Sequence, residues 1–147
     1  MREILFRGKR VDNGEWVEGY FLPCNERQSL HPCIFVYLPE TQSFECFDID
    51  IDTLGEYTGL TGKNGTRIFE GDIIKSEQDG MIGVIRFGEY QTTNSGNGEC
   101  HSGFSIEWYG KYSDLLRRDL GWWVKFGNTD INIFGNIHDN PELLEGE

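Results

Sequence analysis

Residues 56–75 read EYTGLTGKNGTRIFEGDIIK, and their glycines at 59, 62, 65 and 71 constrain the fold more than any other stretch of the chain. The segment reads as a turn, then a tight Lys63-Asn64-Gly65 turn, then a run that enters a strand through Glu70-Gly71-Asp72. Asn-Gly tolerates the positive φ of tight turns. A P-loop needs Gly-Lys-Ser/Thr leading into a helix, whereas Gly62-Lys63 is followed by Asn64 and a strand.

The rest of the chain repeats this pattern of short runs and turns. Residues 3–22 form a hairpin around Val11-Asp12-Asn13-Gly14. Residues 23–32 are a loop. Residues 33–38, CIFVYL, are rich in β-branched and aromatic side chains, and residues 44–51 return as a second strand. Strict alternation there sets Phe47, Ile49 and Ile51 on the buried side, opposite Phe44, Cys46, Asp48 and Asp50. Strands follow over 72–77 and 81–87, joined at Gln78-Asp79-Gly80. Residues 89–103 lose periodicity. Strands over 104–109, 122–126 and 131–137 flank one short helix, residues 112–120, which Ser113 can cap. An acidic tail begins at Pro141. The expected fold is mainly β, with eight or nine short strands and one short helix. It divides into an N-terminal hairpin sheet over 1–55 and a barrel-like part over 56–147. Aromatics are 14% of the 147 residues and glycines number 19, as many short strands and tight turns require. A chain of this length buries roughly 68–70% of its unfolded surface and can fold without metal or disulfide staples.

The formal net charge is −12. Residues 21–60 carry one basic side chain against seven acidic ones. No basic stripe runs along the chain, and Arg117-Arg118 is only a doublet, so duplex nucleic acid is not an expected partner. No apolar run approaches the roughly eighteen residues of a membrane span. Charges interrupt the apolar pairs of the N-terminus, which does not read as a signal peptide. The expected location is the cytoplasm, with the cysteines reduced.

Three groups of side chains invite a chemical reading. Asp48, Asp50 and Asp52 share one side of a strand, where three carboxylates can hold a hard cation such as Ca²⁺ or Mg²⁺. A solvated strand edge guarded by charge explains the same spacing. Cys24, His31 and Cys33 offer thiolates and an imidazole, but there is no C-x₂-C pair, and Cys33 and Cys46 read more simply as small core residues. Cys100-His101 are adjacent, so on an extended chain they point to opposite sides. None of these supplies a credible catalytic set, and no cofactor is called for. Trp108, Trp122 and Trp123 are the candidate anchors for a partner, because exposed aromatic rings concentrate binding energy. Edge strands such as residues 33–38 can pair between copies, a route to a homo-oligomer.

Four pieces of the chain carry a resemblance: MREILFRGKRVDNGEW at the start, EYTGLTGKNGTRIFEGDIIK in the middle, GVIRF at Gly83–Phe87, and FGNIHDNPELL at Phe134–Leu144. With these the chain resembles the YopX family of small proteins from phages and prophages of Gram-positive bacteria. The resemblance implies a mainly β fold and expression inside a bacterial cell, and it brings no catalytic residues. Gly59, Gly65, Gly71, Asp72 and Gly135 in these pieces read as turn and strand-entry requirements. The expected role is a non-enzymatic accessory protein that binds a host or phage protein. Two alternatives are a metal-dependent hydrolase built on the clustered carboxylates and a small β-barrel binding single-stranded nucleic acid.

Overall fold

A computed structural model of the chain describes residues 4–23, 31–62, 65–76, 80–91, 100–110, 120–121 and 131–145. Nine strands account for most of these residues, and the fold is mainly β and antiparallel. The chain forms two compact units, Met1–Gly59 and Leu60–Glu147.

The first unit contains β1 (Phe6–Arg10), β2 (Trp16–Leu22), β3 (Cys33–Leu38) and most of β4 (Ser43–Thr61). The expected hairpin is present as β1–β2. Gly14 adopts φ 72°, the Gly14 amide donates to Arg10 O, and Asn13 Oδ1 accepts the Glu15 amide. The longer strands change partners along their length. Trp16–Gly19 of β2 pair with β1, whereas Tyr20–Leu22 pair with β3. In β4, residues 43–48 pair with β3, and residues 49–50 and 55–56 pair with β1. The hand-over in β4 is covered on both sides: the Val11 amide donates to Asp48 O and the Ile49 amide to Pro32 O. Strands that pass between two short sheets make corners of this kind, commonly at bends and bulges. Ile34 and Ile49 are buried.

That corner corrects the alternation expected for β4. Lys9 pairs with Asp50 and Arg7 with Gly55, so residues 51–54 bulge opposite Gly8 alone. Phe47 and Ile49 face inward as expected, but Ile51 is 50% exposed and Thr53 is buried in its stead. A bulge adds residues to one strand and resets the period-two pattern beyond it. Three further expectations differ. Residues 56–61, read as a turn, are the end of a nineteen-residue strand, paired through Phe6–Glu56 and the Tyr57 amide to Leu5 O. Residues 100–103, read as aperiodic, belong to a strand because partners in β7 take up their backbone groups. Strand β3 is paired on both sides and is not an edge.

The second unit holds β5 (Arg67–Phe69), which follows the end of β4 through a turn closed by the Gly62 amide on Thr66 O. Then come β6 (Asp72–Ser76), β7 (Ile82–Gln91), β8 (Cys100–Trp108) and β9 (Ile131–Asn136), and a 3-10 turn at Pro141–Leu144 where the tail was expected. These four strands form one sheet in the order β8-β7-β6-β9, with β8 and β9 outermost in the described pairings and no closure of the expected barrel among the described residues. Ile68, Ile74, Met81, Ile85, Phe104, Ile106, Trp108 and Leu120 make the core. Ile73 and Val84, on the opposite side of the sheet from Ile74 and Ile85, are also fully buried. The expected helix lies, but for Leu120, outside the described residues, as does the strand over 122–126. Among the described residues no helix is long and apolar enough to cross a membrane.

Candidate functional site

The aromatic side chains of the first unit divide between two sides of one small sheet. Residues directly opposite in an antiparallel pair point the same way, as do residues two apart along a strand. Tyr20 pairs with Phe35, Phe35 with Cys46, and Tyr37 with Phe44. These five side chains therefore share one side of β2-β3-β4, while Ile34 and Ile49 point to the other. Tyr20 is 57% exposed, Tyr37 49% and Phe44 60%. The Tyr37 and Phe44 rings are tilted against each other with centroids 5.3 Å apart. This outer face is an aromatic surface on ordered, paired strands.

Charge around the face is lopsided. Glu40, Glu45, Asp48, Asp50 and Asp52 are exposed on β4 and the turn before it, and neither β3 nor β4 contains a lysine or arginine. Asp48 continues the line of Phe44 and Cys46. On β1, Arg7 and Lys9 lie over the Trp16 ring at 4.8 and 5.6 Å, and Glu18 stands opposite Arg7 in the register. Arg10 is taken up by Asp12, 2.5 Å away, with its guanidinium 4.3 Å from the Phe47 ring. The hydrogen bond from Arg10 holds the Asp12 carboxyl below its ordinary range.

A shallow open depression of about 540 Å³ lies between the β1–β2 turn and β4, lined by Lys9, Arg10, His31, Asp50 and Ile51 among others. Of its cations Lys9 and Arg10, Arg10 is already paired with Asp12. Asp48, Asp50 and Asp52 are all exposed, and Asp50 Oδ1 accepts the Asp52 amide at 3.1 Å. Among the described residues no three His, Cys, Asp or Glu side chains stand where they could share a metal ion. Of the thiol and imidazole set, Cys24 lies outside the described residues, His31 is exposed, and Cys33 is buried beside Cys46. Burial, then the Cys46 thiol, push the Cys33 thiol up to about 12. His101 is exposed and stacks on Tyr90, its partner across β7–β8.

Trp108 is 4% exposed and packs in the core of the second unit, so it is not a surface anchor. Strand β8 turns it to the same side as Ile106 and Phe104. Trp122 and Trp123 lie outside the described residues. Tyr20, Tyr37 and Phe44, which the reading of the sequence passed over, have a signal of their own. CIFVYL is apolar in both phases of the alternation, and Phe44 sits in the phase assigned to solvent.

The four sequence pieces singled out above are brought together by pairing. The opening hairpin meets the start of the central piece at Phe6–Glu56. The other three pieces supply β6, β7 and β9, three neighbouring strands. At their junction the Gly71 amide donates to Ile85 O, and Gly71 O accepts the Ile137 amide. Gly71 has φ 90°, a conformation that disfavours side chains, and Asp72 Oδ2 accepts the Phe69 amide at 2.8 Å in a turn that is 1% exposed at Asp72. These residues build the turn and the sheet. The aromatic face, by contrast, draws mainly on β3 and the first half of β4, outside those pieces.

Fold and motif arrangement together define a two-unit antiparallel β protein of one family. A family model described as YopX protein matches residues 5–145, nearly the whole chain, and the protein belongs to the YopX family. No curated protein matches it.

Proposed function

We propose that this YopX-family chain is a phage or prophage accessory protein that acts inside the bacterial cell by binding another protein, without catalysing a reaction. The observation that supports this reading is the outer face of β2-β3-β4, where Tyr20, Tyr37 and Phe44 stay about half exposed on strands paired through β3. Leaving large rings about half in water forgoes roughly half of the 1.5–3 kcal/mol that full burial of such a side chain gives, which a partner can recover. Rings held on paired strands also lose little freedom on binding, the condition under which aromatic anchors contribute most.

The test is capture of partners from the bacterial host, with and without phage, on tagged wild-type protein, Tyr37→Ser/Phe44→Ser and Trp122→Ala/Trp123→Ala. A protein retained by the wild type and lost by the Tyr37/Phe44 pair supports the reading and its surface. Loss confined to the tryptophan pair keeps the function but moves the surface. A wild type that retains no protein from either lysate overturns the reading.

A further inference from the structure

The chemistry of the partner follows from what surrounds the aromatic face, and this step rests on the protein-binding reading. The rings of Tyr37 and Phe44 form its centre, with Tyr20 and Phe35 beside them. An apolar group of this kind is matched by aliphatic or aromatic side chains, which leave no polar group unpaired on burial.

The margin differs between its two sides. On the β3–β4 side the exposed carboxylates are Glu40 in the turn, then Asp48, Asp50 and Asp52 along β4, with no lysine or arginine on those strands; Asp50 stands opposite Lys9 of β1, and Glu45 points to the other side of the sheet with Phe47. Asp48 lies on the same side of the sheet as Phe44, two positions beyond Cys46. On the β1 side the cations face groups of their own protein, Arg7 and Lys9 lying over Trp16. The field outside the face is therefore negative toward β4 and partly neutralised toward β1. A second copy of this chain would bring the same carboxylates against each other, and like charges brought together disfavour that contact. A basic margin on the partner meets them with opposite charge and speeds encounter.

We propose that the outer face of β2-β3-β4 docks a protein segment with an apolar centre and a lysine- or arginine-rich margin, the apolar side chains seated on Tyr37 and Phe44 and the cations facing Asp48 and its acidic neighbours on β4. Binding of this kind weakens as salt rises, because exposed charges are screened over about 10 Å at 0.1 M ionic strength.

The experiment uses the full chain and three synthetic peptides of equal length: alternating lysine and leucine, alternating glutamate and leucine, and alternating lysine and serine. Affinity is read by fluorescence polarisation at low and high salt, and the contact surface by NMR shift changes. The expected result is binding of the lysine–leucine peptide with shifts centred on Tyr20, Tyr37 and Phe44. Affinity falls at least roughly tenfold in Tyr37→Ser/Phe44→Ser, as for loss of two anchor residues. In Asp48→Asn it falls with a flatter salt dependence, and the lysine–serine peptide binds more weakly than the lysine–leucine peptide.

Equal affinity for the lysine–leucine and glutamate–leucine peptides overturns the proposal. So do shifts that map away from this face, or self-association of the wild type that Tyr37→Ser/Phe44→Ser abolishes. The peptide comparison on wild-type protein decides even where a variant fails to fold. A captured partner that needs Tyr37 and Phe44 but binds equally at low and high salt leaves the protein-binding reading standing and removes the basic partner. No captured partner together with no peptide binding removes both.

Discussion

The backbone amide of Lys9 donates to the hydroxyl of Thr53 at 2.9 Å, across the point where β1 and β4 lose register. The same hydroxyl donates to Asp50 O at 2.6 Å, so one side chain closes the four-residue bulge and fills the gap in the ladder. Thr53→Val keeps the shape and removes the hydroxyl, leaving the Lys9 amide and the Asp50 carbonyl without that partner. The expected loss is about 1–3 kcal/mol of unfolding free energy by urea denaturation, with Thr53→Ser close to wild type. Equal loss in both variants would show that the methyl group matters and the hydroxyl does not.

Gly8 faces this bulge with no room for a side chain. A Cβ there would stand 2.7 Å from Ile49 Cδ1, the far end of a buried side chain. Gly8→Ala is expected to destabilise by roughly 1–3 kcal/mol, the usual range for overpacking. Ile49→Val removes that Cδ1, so the double variant should recover part of the loss. A double variant whose cost is the plain sum of the two single ones contradicts the steric account.

Asp72 is buried in the turn into β6 and holds the Phe69 amide. Asp72→Ala leaves that amide unsatisfied, an expected cost of about 1–3 kcal/mol, while Asp72→Asn retains an oxygen acceptor and should lose less. Thermal unfolding of the two variants checks the order. Equal losses in the two variants would assign Asp72 a role in which its charge counts for more than its acceptor.

Cys33 and Cys46 differ in reactivity. Cys46 is exposed, whereas Cys33 is buried and its thiol is raised from about 9 to about 12, first by burial and then by the Cys46 thiol. Alkylation of the native protein at about pH 8 should label Cys46 and spare Cys33 until the protein unfolds. The raised value means that folded protein keeps the Cys33 proton where unfolded protein has lost it. Its contribution to stability is therefore fully present below about pH 9 and is lost as pH rises toward about 12. Cys33→Ala should flatten the decline in that window, and an unchanged pH profile would refute the assignment.

Much of the fold is legible in the sequence because its signals are local. Asn13-Gly14 ends one strand and begins the next, and the Gly71 turn opens β6 wherever the sheet goes. Alternation correctly turns Phe47 and Ile49 inward. The candidate site is less legible, because period two separates two sides of a strand without saying which of them another element covers. Trp108 and Phe44 are both large aromatics in alternating strands, yet one is buried in the core of the second unit and the other is 60% exposed.

By itself the sequence determined the β composition, the turns at Asn13-Gly14 and Gly71, the lysine- and arginine-free character of β3 and β4 and the acidic run of β4, since each depends only on residues near in the chain. Only the tertiary structure decided the hand-over of β2 and β4 between partners, the bulge that turns Ile51 outward and Thr53 inward, and the meeting of Tyr20, Tyr37 and Phe44 on one face. Those features come from backbone pairing between segments far apart in sequence. One non-local register shift there reassigns every side chain beyond it.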